Sequence, residues 1–154
     1  MKLIIKETVI PAQANKVLFY LAPVLAIIVS LLGWAVVPFG TGLALSDFSL
    51  GVIYTLTLSS FGIYGVLFAG WSANSKYAFL GSLRATAALI SYELILSSAV
   101  IIIIFLTGSF NYTQIIESQI PVWFIVPLAP IFILFFIAIL AETSRVPFDL
   151  QEAK

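Results

Sequence analysis

The chain has 154 residues, 62% of them hydrophobic and 9% charged, with a mean hydropathy of +1.15 and seven Lys/Arg set against seven Asp/Glu. Soluble domains are about 45–50% apolar and about 25% charged, so this composition cannot cover itself with a wettable surface and marks an integral membrane protein. With no cysteine and no histidine, the chain offers no disulfide, no Fe–S or zinc site and no His-ligated haem, and without a basic cluster it has no purchase on nucleic-acid phosphates.

In residues 1–16, Leu3, Ile4, Ile5, Val9 and Ile10 alternate with Lys2, Lys6 and Glu7 over too short a length to cross a bilayer. This predicts an interfacial amphipathic segment, a helix ending near Pro11 and lying flat on the membrane, with a frayed tail as the alternative. The stretch has no central apolar run followed by a small-residue cleavage site, so no cleavable signal is expected.

A spanning helix needs about 20 apolar residues to cross roughly 30 Å of hydrocarbon. Residues 17–141 hold four such stretches, Val17–Pro38, Leu50–Gly70, Ala85–Leu106 and Val122–Ala141. The breaks at Pro38–Gly42, Trp71–Lys76 and Thr107–Thr113 carry turn residues. The expected fold is an all-α membrane protein of four transmembrane helices preceded by a short interfacial helix. Pro23, Pro127 and Pro130 lie within or near the start of spans, where neighbouring helices can satisfy the freed carbonyls. Gly62, Gly65 and Ala69 permit close packing of the second span, and Trp71 and Tyr77 read as interface anchors.

With four crossings, Lys2, Lys6, Lys16, Lys76, Arg84, Arg145 and Lys154 all fall on one face, while the loops of the other carry only Asp47 and Glu117. The positive-inside rule then puts both termini on the cytoplasmic or matrix side.

Two places carry chemistry. Glu93 lies nine residues beyond Arg84, about 13 Å into the third span, where a charge costs several kcal/mol unless it is paired, hydrated or protonated. Thr86 and Ser97 share its helical face and can hold water, and Tyr92 is a second partner. Glu93 is read either as a proton-relay carboxylate or as packing glue between helices. The chain's last fourteen residues, Ala141 to Lys154, are dense in charge. Pro147 disfavours helix at Val146, so the fourth span should end there, with Glu142 and Arg145 spaced i to i+3 to pair. Asp149 and Glu152 match the acidic version of a helix-start capping pattern. Residues 142–154 suit either a polar vestibule at the membrane surface or plain interfacial charge. Arg84 either snorkels to lipid phosphate or reaches toward the carboxylates of the fourth span.

Three stretches together resemble the subunit 1 family of respiratory complex I, the proton-pumping NADH:quinone oxidoreductase: Gly70–Tyr77, Leu83–Glu93 and Ala141–Leu150, the last reading Glu-Thr-Ser-Arg-Val-Pro-Phe-Asp-Leu from Glu142. Ile5–Lys6–Glu7, Ala14–Asn15–Lys16 and Leu21–Ala22–Pro23 fit as well. The resemblance implies an all-helical heel of the membrane arm, forming the membrane side of the quinone chamber and the start of a line of buried charges. It implies proton or charge relay at Glu93 and Glu142, and lining or support of the quinone cavity by Arg145, Phe148, Asp149, Arg84 and Glu152, with residues 142–154 the start of the charged cavity loop. The N-terminal segment matches the interfacial helix near the quinone entrance. Ubiquinone is the implied substrate, flavin and Fe–S clusters belong to partner subunits, and the membrane is the mitochondrial inner membrane or, alternatively, a bacterial plasma membrane. Family members are about twice as long, so a split subunit completed by a second chain is expected, with a truncated form as the alternative. Gln151 stands where the family has a common proline. The alternatives are a subunit of a related membrane-bound hydrogenase or ion transporter, and a purely structural assembly fragment.

Overall fold

The computed structural model describes residues 2–146 and 148. Among them there is no strand. The elements are α1 (Lys2–Ile5), α2 (Lys16–Gly33) continued by a 3₁₀ turn at Trp34–Val36, α3 (Gly51–Ser72), α4 (Lys76–Thr107), α5 (Tyr112–Glu117) and α6 (Ala129–Glu142). Three of them, α2 with its 3₁₀ extension, α3 and α4, are long and apolar enough to cross a membrane.

The expected elements and the observed ones part company in three places, each with a local cause. Helix α1 covers only four residues, because β-branched Thr8, Val9 and Ile10 and then Pro11 oppose its continuation, so the anticipated amphipathic helix up to Pro11 is a single turn. Helix α4 starts at Lys76, well ahead of Ala85, and its 32 residues reach about 48 Å. Hydropathy delimits the lipid-buried stretch, whereas nothing between Lys76 and Arg84 breaks a helix. The fourth apolar stretch is helical only from Ala129, for 14 residues or about 21 Å. Proline disfavours helix in the residue before it and is at home in a first turn, so Pro127 and Pro130 hold Val122–Leu128 in turns, closed by Val126 N–H to Trp123 O and Leu128 N–H to Phe124 O.

Packing is inside-out relative to a soluble bundle. Most buried side chains between the long helices are small, Ala22 on α2, Ser72 on α3, Ser82, Ala85, Thr86 and Ala99 on α4, Ala138 and Ala141 on α6, and the larger buried groups, Val36, Val52 and Ile115, lie toward the Asp47 end. Large apolar groups such as Phe105 and Ile133 point outward. In lipid no hydrophobic force drives Leu or Phe inward, and helices meet where small residues let backbones approach. A Cβ on Gly65 would lie 3.4 Å from the Ala22 carbonyl oxygen, and one on Gly70 only 2.1 Å from Ser82 Cβ. The second contact clamps the α3–α4 hairpin through residues 73–75, where Asn74 takes the left-handed conformation that ends α3 (φ 50°). Asn74 also donates its side-chain amide to the Gln13 carbonyl, and Asn15 N–H donates to Ser72 O, which fastens the N-terminal segment to the hairpin turn.

The opposite end of the bundle closes through side chains. Asn111 caps α5, accepting from Thr113 N–H at 2.8 Å, and donates to Asp47 Oδ1 at 2.7 Å. Val52 N–H bonds Phe110 O, and Tyr112 fits against Gly51, bringing its hydroxyl 2.5 Å from Thr55 Oγ1.

Candidate functional site: a small-residue cleft beside two carboxylates

Along α4, Gly81, Ala85, Ala88 and Tyr92 recur at helical spacing and so share one face. No large side chain fills the space before Tyr92. The result is a cleft of about 520 Å³ between this face, Val66, Ala69 and Gly70 of α3, and the end of α6, with Arg84 on its wall and Phe148 across from it. Tyr92 meets Phe148 edge-on, ring centroids 5.9 Å apart. Phe148 is held by the way α6 ends. Ser144 is left-handed (φ 52°), Ser144 N–H bonds Ala141 O, and Arg145 N–H reaches back to Leu140 O at 3.0 Å. This is a Schellman motif with serine in the usual glycine position. Phe148 N–H then bonds the Arg145 carbonyl at 2.7 Å.

That same motif removes the expected Glu142–Arg145 pair. The backbone leaves the helix between them, Arg145 is exposed, and Glu142 instead accepts a long hydrogen bond from Ser59 of α3 at 3.5 Å. Glu93 accepts from the next residue, Ser60, at 2.9 Å. Adjacent helical residues project about 100° apart, so the two carboxylates sit at one level on either side of α3. Each has its own groove. Glu93 shares about 280 Å³ with Thr57, Ser60 and Ser97, and Glu142 shares about 390 Å³ with Ser30, Thr55 and Ser59. Leu89 borders both the Glu142 groove and the Arg84–Phe148 cleft. Helix α6 therefore stops partway along α3. Glu142 meets α3 eight residues from Gly51 and thirteen from Ser72, about 12 and 20 Å along the axis.

Of the residues singled out from the sequence, the structure brings Arg84 and Phe148 into one cleft and Glu93 and Glu142 to one level. Ser97 joins Glu93 as its spacing predicts. Thr86 does not, since it is buried and its hydroxyl bonds the Ser82 carbonyl of its own helix at 2.7 Å. Arg84 lines the cleft and touches neither acid groove. Asp149 and Glu152 lie outside the described residues. Ser59 and Ser60 were missed, although the polar run Thr55, Thr57, Ser59, Ser60 inside an otherwise apolar span was there to be read.

Long apolar helices packed through small residues, with two carboxylates within the span and a separate cleft beside them, define a membrane protein with internal ionisable groups, which in lipid mark a functional site. Its family follows from comparison with known proteins. Residues 1–154 match the family model described as NADH dehydrogenase. Over the whole chain, identity is 69% to the NADH-ubiquinone oxidoreductase chain 1 of Mycosarcoma maydis, 62% to that of Podospora anserina and 49% to the corresponding NADH-quinone oxidoreductase subunit of the bacterium Rhodospirillum centenum. The chain belongs to this family. It covers 46%, 42% and 46% of those three proteins, so it spans about half the length of the relatives it matches.

Proposed function

We propose that this chain is part of a proton-pumping NADH:quinone oxidoreductase, where it forms part of the quinone chamber and the start of the buried path that couples quinone reduction to proton translocation. The observation that carries this reading is the adjacency of an Arg84–Tyr92–Phe148 cleft to the Glu142 groove, with Glu93 one residue around α3. The cleft is lined mainly by small and apolar groups and is edged by aromatic rings and a cation, which suits a flat, hydrophobic quinone with two carbonyl oxygens. Phe148 and Tyr92 contribute ring contact, and Arg84 offers hydrogen bonds to oxygen. Arg145, Asp149 and Glu152 extend the polar edge of the chamber. Reduction of quinone to quinol takes two electrons and two protons, and the charge change in the cleft shifts the proton occupancy of Glu142 and, through the same level of α3, of Glu93. This chain holds no cofactor. Flavin and Fe–S clusters reside in partner subunits.

The same reading gives four crossings, the fourth made by Val122–Leu128 in turns together with α6, and puts both termini on the matrix side of the mitochondrial inner membrane. The eukaryotic sources of the Mycosarcoma and Podospora relatives support the mitochondrial placement, and the one-sided distribution of Lys and Arg supports the orientation. The test is Glu142→Gln and Glu93→Gln in the assembled complex. Native-gel migration in an NADH-active band is expected to persist, while coupled NADH-driven quinone reduction falls about tenfold or more, the scale of a lost proton-transfer group. Wild-type turnover and proton pumping in both variants overturn the reading.

A further inference from the structure

Past Glu142, away from the cleft, the groove contains hydroxyls. Ser59 donates to the carboxylate, Thr55 lies one turn further along α3 in the same groove, and Ser30 faces both from α2. Thr55 Oγ1 also meets the Tyr112 hydroxyl at 2.5 Å, and Tyr112 follows Asn111, which holds Asp47 at the end of the bundle. From Glu142 this line runs toward the nearer end of α3. Hydroxyls both donate and accept, and a groove of about 390 Å³ holds several waters at about 30 Å³ each. Thr55 and Ser59 one turn apart on α3, with Ser30 of α2 and Glu142 of α6 in the same groove, put polar groups together within apolar spans, which is where water enters a membrane protein.

We propose that Ser59, Thr55 and Tyr112 form a hydroxyl-and-water proton path from Glu142 to the Asp47 end of the bundle. The proton of the Glu142 carboxylic acid passes to the first water. Each hydroxyl then accepts a proton on a lone pair and releases its own to the next partner, so that one proton emerges beside Asp47 and the Glu142 carboxylate is left to be refilled from the cleft side. No electron moves along this line. Glu93 lies in the separate groove around α3 that it shares with Thr57, Ser60 and Ser97, and is outside the line. The inference rests on the proposed function, in which Glu142 exchanges protons.

The experiment uses the assembled complex in sealed vesicles from native membranes, reading NADH oxidation and proton delivery together. Thr55→Val and Tyr112→Phe each remove one hydroxyl and little else, and Thr55→Ser keeps the hydroxyl as a control for packing. Protons delivered per quinone reduced are expected to fall severalfold, up to about tenfold for one lost hydrogen-bonded relay group, in Thr55→Val and in Tyr112→Phe, and to return to the wild-type ratio in Thr55→Ser. A wild-type ratio in both hydroxyl-free variants overturns the path, whether or not turnover slows. If Glu142→Gln is defective while those two variants keep the wild-type ratio, the path fails and the proposed function stands. If Glu142→Gln is itself wild-type, it is the proposed function that fails.

Discussion

The two ends of the bundle are held in different ways. At the Lys76 end, α3 and α4 meet where the Gly70 backbone lies against the small Ser82 side chain and the Ala78 carbonyl, and the turn between them bonds the N-terminal segment through main-chain groups and Asn74. At the Asp47 end side chains do most of the closing, with Asp47, Asn111, Thr113, Tyr112 and Thr55 over the helix termini beside the backbone bond from Val52 N–H to Phe110 O. Close backbone approach uses residues without bulk, and the same lack of bulk along α4 leaves the cleft open. A side-chain network fills its space and seals. An opening beside the rigid clamp and a closure at the other end thus follow from which kinds of residue each end uses.

The Lys76 end is most vulnerable at Gly70. A Cβ there would fall 2.1 Å from Ser82 Cβ and 2.9 Å from the Ala78 carbonyl oxygen, so Gly70→Val forces the hairpin apart, and overpacking of this kind costs about 3 kcal/mol or more. Assembled complex on a native gel should drop to a small fraction of wild type, and adding Ser82→Gly should recover only part of it, because the Ala78 carbonyl remains. Normal assembly of Gly70→Val would show that the hairpin is not a clamp. At the other end, Asn111→Ala removes both the α5 cap and the bond to Asp47, a loss of about 1–3 kcal/mol. Its expected signature is faster amide exchange confined to residues 108–117, with quinone kinetics untouched. Exchange that quickens equally around the cleft would mean the two ends are not independent.

A smaller effect tests the cleft. Tyr92→Leu forfeits the edge contact with Phe148, worth about 0.5–1.5 kcal/mol, and should raise KM for quinone about threefold to tenfold with kcat nearly unchanged, whereas Tyr92→Phe keeps the ring and should remain close to wild type. A kcat loss shared by both would assign Tyr92's hydroxyl, rather than its ring, to the chemistry. The smallest change expected is a gain. Ser144→Gly relieves a left-handed serine at the end of α6 and should stabilise the fold by up to about 1 kcal/mol, seen as a slightly higher unfolding temperature of the purified complex. A decrease would mean the serine side chain has a partner that the backbone geometry does not call for.

Apolar run length was enough to read three helices within a few residues at most of their ends, since hydrocarbon thickness and helical rise leave little freedom. Depth was not legible. That Glu142 reaches the level of Ser59 depends on where α6 starts, which the turns imposed by Pro127 and Pro130 decide, and on a helix end that takes a left-handed turn at Ser144. The Glu142–Arg145 pair failed for that reason, as i to i+3 spacing has meaning only while the helix continues. Thr86 failed differently. Its spacing from Glu93 is right, but it is buried and its hydroxyl back-bonds to its own helix. Glu93 and Ser97 succeeded because both lie well inside one uninterrupted helix, where periodicity is a reliable ruler. Arg84 and Phe148 reached a common cleft by way of the family resemblance, not by spacing, for 64 residues separate them.

The early stop of α6 also has an electrical consequence. Where water follows the cleft inward from the Lys76 end, the membrane's insulating layer thins to the part of the bundle between the two carboxylates and the Asp47 end. The transmembrane voltage then drops over that remaining thickness instead of the whole one. On the proposed path, a proton reaching Glu142 does little electrical work on its way in, and the step beyond Glu142 bears nearly all of it, about 2.3 kcal/mol for each 100 mV.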